Sequence, residues 1–390
     1  MNNRHRRPPR SGNVLVLTAL MMVFMFGILA FAVDIGYINV VRTQLQKSAD
    51  AAAMAAAWDL MERDPRNSNP SAQIVAAEDR IVAAESTAGY YAGQNLVAGS
   101  SPELGAEDLQ IGYLANPSDP SLPMSFAVAD RTRFNAVRVR TQRTSSSQNG
   151  LVPLFFARVI GTNTASSQAE ATAAFVNNFG GFTTPPNEKL AFLPIAMDKQ
   201  TWDGLWADGT DGWTWNPETN EVTEGLDGIP EVNLFPQGTG SPGNRGTVDI
   251  GSNNNSTADI ARQIVEGVSQ ADLDHHGGSL ELDENNQLFL NGDTGISAGV
   301  KDELVSIKGK PVIIPLFSQV SGNGNNASYT IVEFVGACIV EVELTGNMNS
   351  KRVMIQPAPV EILGGIPATG SSSIPKSQLI YSKNAVWLVR

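Results

Sequence analysis

Residues 14–33 read VLVLTALMMVFMFGILAFAV, twenty positions without one charged side chain. Wound as a helix at about 1.5 Å per residue, that run spans about 30 Å, the hydrocarbon thickness of a bilayer. A core helix of a soluble protein would keep a polar face, and this run has none. A cleavable signal peptide is the remaining rival, since Ala30-Phe31-Ala32 has the small-x-small form of a cleavage site. The run is longer than the usual apolar region of about 7–15 residues in a signal peptide, and no helix breaker follows it. A single-pass anchor through the lipid bilayer is the expectation. Arg4, Arg6, Arg7 and Arg10 precede it and Asp34 follows at once. That asymmetry predicts a cytoplasmic tail over 1–13 and a body outside the cytoplasm, on a bacterial inner membrane.

The helix is expected to continue past the membrane surface. Apolar residues recur at Ile35, Ile38, Val41, Leu45, Ala49, Ala52, Ala56 and Leu60, with spacings of 3, 3, 4, 4, 3, 4 and 4. That is one stripe of a helix. Asn39, Arg42, Gln46, Lys47 and Asp50 fall between them. The block ADAAAMAAA has high helix propensity, and its small side chains permit close approach of another element. Asp64-Pro65 closes the run, because a residue before proline is pushed out of the helical region. Residues 34–60 thus read as an amphipathic extension of the anchor, with Ile35, Ile38, Val41, Leu45, Ala49, Ala52 and Ala56 as its packing face.

Beyond the rod the pattern is α+β. A second helix is expected after Ser71, then strands near Leu109 and Asn135, where Val137 and Val139 alternate with Arg138 and Arg140. LVPLFFARVIG reads as a short helix after Pro153, and ASSQAEATAAFVNN as a closing strand. NNFGGFTTPPNEK, residues 177–189, carries paired Gly, Thr and Pro and reads as a linker. It would separate an α+β region, 61–176, from a β-rich domain, 190–390. That domain shows the strands LAFLPIAM, KPVIIPLFSQV, YTIVEFVGACIVEVELTG and KRVMIQPAPVEI, and a helix capped by Ser256 or Thr257.

The formal net charge of the chain is -12, and without its basic tail it carries 23 basic against 39 acidic residues. Such a body repels nucleic-acid phosphates, so no nucleic-acid partner is expected. The single cysteine, Cys338, excludes an internal disulfide and reads as a small buried hydrophobe. Of the three histidines, His5 lies in the tail, and His275 and His276 are adjacent and so point apart. No nucleophile elbow, zinc-protease motif or P-loop occurs. DIGSNNNSTADI lacks the lysine of a phosphate loop, and LDENNQLFLNGDTG and WADGTDG lack the closing Glu of a calcium loop. No catalytic residue, metal or cofactor is expected. Trp202, Trp206, Trp213 and Trp215, interleaved with Asp in TWDGLWADGTDGWTW, suggest an alternative function, a membrane-tethered carbohydrate-binding module. The competing reading is that these rings fill a core.

Taken with its order, the N-terminus resembles the Tad (tight adherence) pilus-assembly family, TadG-like and TadE-like. A basic tail precedes RSGNVLVLTALMMVFMFGILAFAVDIGYINVVRTQLQKSADAAAMAAA, in which Asp34-Ile-Gly36, Leu45-Gln46 and Ala49-Asp50-Ala-Ala-Ala are the distinctive parts. NAVRVRTQRT and LVPLFFARVIG resemble the ectodomain of such proteins. The resemblance implies a non-enzymatic role in building Flp-type pili, with adhesion as the outcome and other pilus-assembly membrane proteins as partners. Two features depart from the family's patterns. The Asp-x-Ser-x-Ser metal motif of some TadG-like proteins is absent, since Asp249 is followed by Gly251 and Asn253. A prepilin peptidase cutting after Gly12 would want Glu at the fifth following position, where Leu17 stands.

Overall fold

The computed structural model describes residues 13–127, 129–235, 245–251, 256–293, 296–322, 326–347, 350–368, 379–383 and 385–389. The basic tail with His5 and Gly12, and the SNNN stretch of the DIGSNNNSTADI loop, lie outside them. The architecture is α+β. The chain divides into two compact units, neither contiguous in sequence. The first comprises residues 1–53, 87–110 and 138–171, and the second residues 54–86, 111–137 and 172–390.

One helix, α1, runs without a break over Asn13–Asp59. Its apolar half is largely exposed, from Val14 at 72% to Val33 at 52%, with Ala30 half-covered. Its second half is docked. Val41, Leu45, Ala49, Ala52, Ala53, Ala56 and Ala57 are buried, so the alanine block puts a flat, narrow surface against its neighbours. In the first unit the docking is also polar. Ser48 Oγ donates to the Ala92 carbonyl (3.0 Å) of a second helix, α2, Gln73–Gln94. Thr141 Oγ1 donates to the Leu45 carbonyl (2.8 Å), and Gln44 accepts from the Ala98 amide (2.9 Å). Val41 and Leu45 share a core with Val97, Val152 and Ala169. Helix α2 begins two residues after Ser71, with Asn69 accepting from the Ser71 amide instead. It buries Ala77, Ile81, Ala84, Ala88 and Ala92, again a helical stripe.

The second unit is built on a seven-stranded sheet. Its long pair, Pro311–Ser321 and Ala327–Glu343, is antiparallel. From Ala327–Glu343 the ladder passes through Leu288–Asp293 and Arg245–Val248 to Ile195–Asp198, which returns parallel to Pro311–Ser321. Five strands therefore close on themselves. Closure removes the unpaired edges that an open apolar sheet would expose. The far half of Ala327–Glu343 carries Arg352–Pro357 and then Val232–Phe235 as an outward extension. The run VIIPLF is apolar at successive positions because both faces of the sheet are covered. Ile313 and Phe317 enter one core with Phe182, Phe192 and Phe334. Val312, Ile314 and Leu316 enter another with Trp202, Ile260 and Leu304. The helix Thr257–Glu266 that supplies Ile260 is capped by Ser256, whose Oγ accepts from the Asp259 amide (3.1 Å).

One expectation needs correction and another narrows. Residues 177–189 do not start as a linker. Phe179–Phe182 is a strand paired with Leu280–Glu281 and Gly365–Pro367, and both of its phenylalanines are buried. The glycine pair lets neighbouring backbone approach there: a Cβ on Gly181 would fall into the Glu281 backbone. LVPLFFARVIG is helical after Pro153, but only as one short 3-10 helix, Ala157–Ile160, preceded by a two-residue strand.

Ala49 is fully buried under docked backbone, whereas Lys47 is exposed. Ala49→Leu is expected to cost about 1–3 kcal/mol by overpacking. Lys47→Leu should stay within about 0.5 kcal/mol. Denaturant unfolding of the full chain in detergent checks both.

Candidate functional site: an aspartate cap at the foot of the apolar helix

Asp34 is the first charge after the apolar run, yet it is only 3% exposed. Its partners are three consecutive backbone amides of the first unit. Oδ1 accepts from Phe155 (2.8 Å), and Oδ2 accepts from Phe156 (3.0 Å) and Ala157 (2.6 Å). These amides open the 3-10 turn Ala157–Ile160, whose own N-cap, Phe156, has no side chain able to cap it. Free N–H groups at a turn start converge as an anion site, and the carboxylate of another element fills it. Gly161, in the left-handed conformation (φ 90°), ends the turn, and its amide donates to Arg158 (3.1 Å). Tyr37, three residues beyond Asp34, meets Phe155 edge to face with centroids 5.1 Å apart.

Helical spacing explains why the acid faces inward. Asp34 lies seven residues before Val41, two turns earlier on the same face, and the buried Ser48 continues that face. Ile35 is rotated about 100° from it and is 57% exposed. The expected packing face is therefore corrected at its start. Ile35 lies off it, Ile38 is half-buried, and Asp34 holds the inward place. Val41, Leu45, Ala49, Ala52 and Ala56 are buried. Periodicity among apolar residues alone could not find Asp34. A lone acid in phase with an apolar stripe was the available signal.

On the membrane side of Asp34, Phe156, Val159 and Ile160 stand against Phe26, Gly27, Ala30 and Phe31 of α1. The two elements enclose a wholly apolar crevice of about 260 Å³. Gly27 and Ala30, one turn apart, leave the room for it.

The tryptophan cluster does not form a shared face. Trp202 is buried with Leu205 and Trp206 packs at the edge of the same core. Trp215 is buried in a different cluster beside Cys338, and its Nε1 donates to the Gly309 carbonyl (2.8 Å). Trp213 is half-buried with the Lys308 ammonium 4.5 Å from its ring centre. The interleaved acids make turns: Asp211 accepts from the amides of Asp227 (3.2 Å) and Gly228 (3.0 Å). Glu231 is 1% exposed and accepts from the Gly212 and Trp213 amides. Burial pushes its carboxyl up to about 7, despite those two amides, with Asp211 and Asp227 adding repulsion.

Elsewhere in the second unit a cavity of about 290 Å³ is lined by Glu62, Arg80, Asn177, Lys199, Glu333 and Tyr381 among others. Its cations are matched internally, Arg80 with Glu62 and Lys199 with Glu333. Asp272 of DLDHHGG is bound by Arg262, and burial holds the His276 imidazole below its ordinary value against the pull of Asp249. Among the described residues no group of three His, Cys, Asp or Glu side chains is placed to hold a metal. Cys338 is buried, and burial pushes its thiol up, away from the reactive thiolate.

Residues 12–59 match the family model of putative Flp pilus-assembly TadE/G-like proteins, and residues 55–173 match that of putative Tad-like Flp pilus-assembly proteins. The aspartate cap and both elements it joins lie within these matches. No curated protein and no solved structure matches the chain.

Asp34→Ala strands three donors. At about 1 kcal/mol or more each, amide exchange at Phe155–Ala157 should quicken about 100-fold. Hydrogen-exchange mass spectrometry of the full chain checks this, and unchanged exchange would deny the cap. Glu231 gives a pH prediction. Its folded value lies above the unfolded 4.5, so its contribution to stability falls as pH rises from 4.5 to about 7 and is lost above that. The melting temperature should drop across that window, and Glu231→Gln should flatten the drop.

Proposed function

We propose that the chain, whose residues 12–59 and 55–173 match Flp pilus-assembly family models, serves a pilus-associated role as an uncleaved inner-membrane component. In this reading residues 1–13 face the cytoplasm and the folded body lies outside. The protein acts without catalysis, helping to build an adhesive pilus together with other membrane proteins of the assembly. The observation that carries the reading is the continuity of α1 from its largely exposed apolar half into a half docked and clamped at Asp34. A load on the first unit passes directly into the membrane helix. Cleavage after Ala32 would put Asp34 second in a frayed N-terminus and remove Phe26–Phe31 from the crevice they line. Retention of the apolar half is what the clamp is built for. The buried rings of Trp202 and Trp215 give no support to a carbohydrate-binding alternative.

Deletion of the gene should abolish surface pili and attachment, and the full chain supplied in trans should restore both. Electron microscopy and an attachment assay read this out, with normal piliation in the deletion strain overturning the role. Mass spectrometry of the mature protein should find the N-terminus at Met1 or Asn2, and one at Asn13 would overturn the uncleaved reading. One at Val33 would overturn the anchor.

A further inference from the structure

We propose that the segment Leu154–Ile160 is a second membrane-embedded element, dipping into the outer leaflet beside α1 and packing lipid acyl chains against its exposed face. The inference rests on the membrane placement of α1. The segment exposes four large apolar side chains within six residues, Phe155 (57%), Phe156 (47%), Val159 (89%) and Ile160 (63%), the kind of apolar exposure that marks an interaction surface.

The occupant follows from what this surface adjoins. Phe156, Val159 and Ile160 share their crevice with Phe26, Gly27, Ala30 and Phe31. Those helix residues precede Asp34 by three to eight positions, or about 5–12 Å along the axis. That is the depth at which interfacial elements bury their apolar faces, about 5–10 Å. The surface is thus continuous with the lipid-facing wall of α1. Most of the segment's amides are also bonded within the protein. Irregular backbone survives at membrane depth only where its polar groups are satisfied. The amides of Phe155, Phe156 and Ala157 are taken by Asp34. Those of Leu154 and Val159 go to Asn163 (3.0 Å) and Phe156 (3.0 Å). The one charge, Arg158, is exposed and long enough to snorkel to headgroups. Tyr37 against Phe155 puts an amphipathic ring at the expected interface.

The test uses full-length protein in phosphatidylethanolamine–phosphatidylglycerol vesicles, with NBD attached at Ile28→Cys or at Val159→Cys. Both positions are exposed, so the label displaces no packing, and native Cys338 is buried. Spin-labelled lipid should abolish most emission at both positions, and the emission at 159 should be blue-shifted. Quenching at 28 without quenching at 159 overturns the inference while α1 stays in the membrane. Cross-linking of 159 to 159 between copies in place of quenching overturns it in favour of a second copy. No quenching at either position overturns the membrane placement itself, and the inference with it.

Discussion

A single carboxylate clamps α1, just past its apolar run, to the turn that begins at Phe155–Ala157. Asp34 leaves water just past an apolar helix, and it does so because three amides of a distant segment converge on it. Burying a charge is costly unless it is hydrogen-bonded. The same bonds settle the opposite debt, since the turn at Phe155–Ala157 has no cap of its own. Each side of the contact is unsatisfied without the other. A helix of this length could otherwise pivot at the membrane surface. The clamp fixes its phase at the point where a hinge would form.

The alanine-rich stripe depends on that phase. Val41, Leu45, Ala49 and Ala52 bury their face only if the helix is rotated so that Asp34 points inward, two turns earlier. Small side chains bring backbones close enough for Ser48 and Thr141 to bond to carbonyls across the contact. The family match covers this assembly, whereas the closed-sheet region from residue 174 onward lies beyond the matched residues. The likeness to Flp pilus-assembly proteins therefore lies in the clamped rod and the parts that hold it.

Local patterns were legible in the sequence wherever one periodicity decided them. The unbroken α1, the Val137/Val139 strand, the long apolar strands and the Ser256 cap all follow from spacing and end signals. What escaped is non-local. Closure of five strands depends on the parallel return of Ile195–Asp198 to Pro311–Ser321, which no short window contains. Phe179–Phe182 carries the paired glycines of a linker, yet they admit neighbouring backbone. In the sequence Asp34 marks the end of the membrane segment, and LVPLFFARVIG shows only a short helical turn. Neither pattern holds a reason to bring residues 121 positions apart together. The tryptophans show the converse, a local cluster that looked like a site and that folding divides between two cores.

The contact between the foot of α1 and the Phe155–Ile160 segment is where the clamp can be probed. The most direct measurement is disulfide formation in intact cells between Ala30→Cys and Ile160→Cys, two residues lining one crevice. Non-reducing gels should show an intramolecular cross-link in an otherwise native chain, and adding Asp34→Ala should abolish it. Absence of the cross-link in the native background, or its persistence without Asp34, would contradict a carboxylate clamp between α1 and this segment.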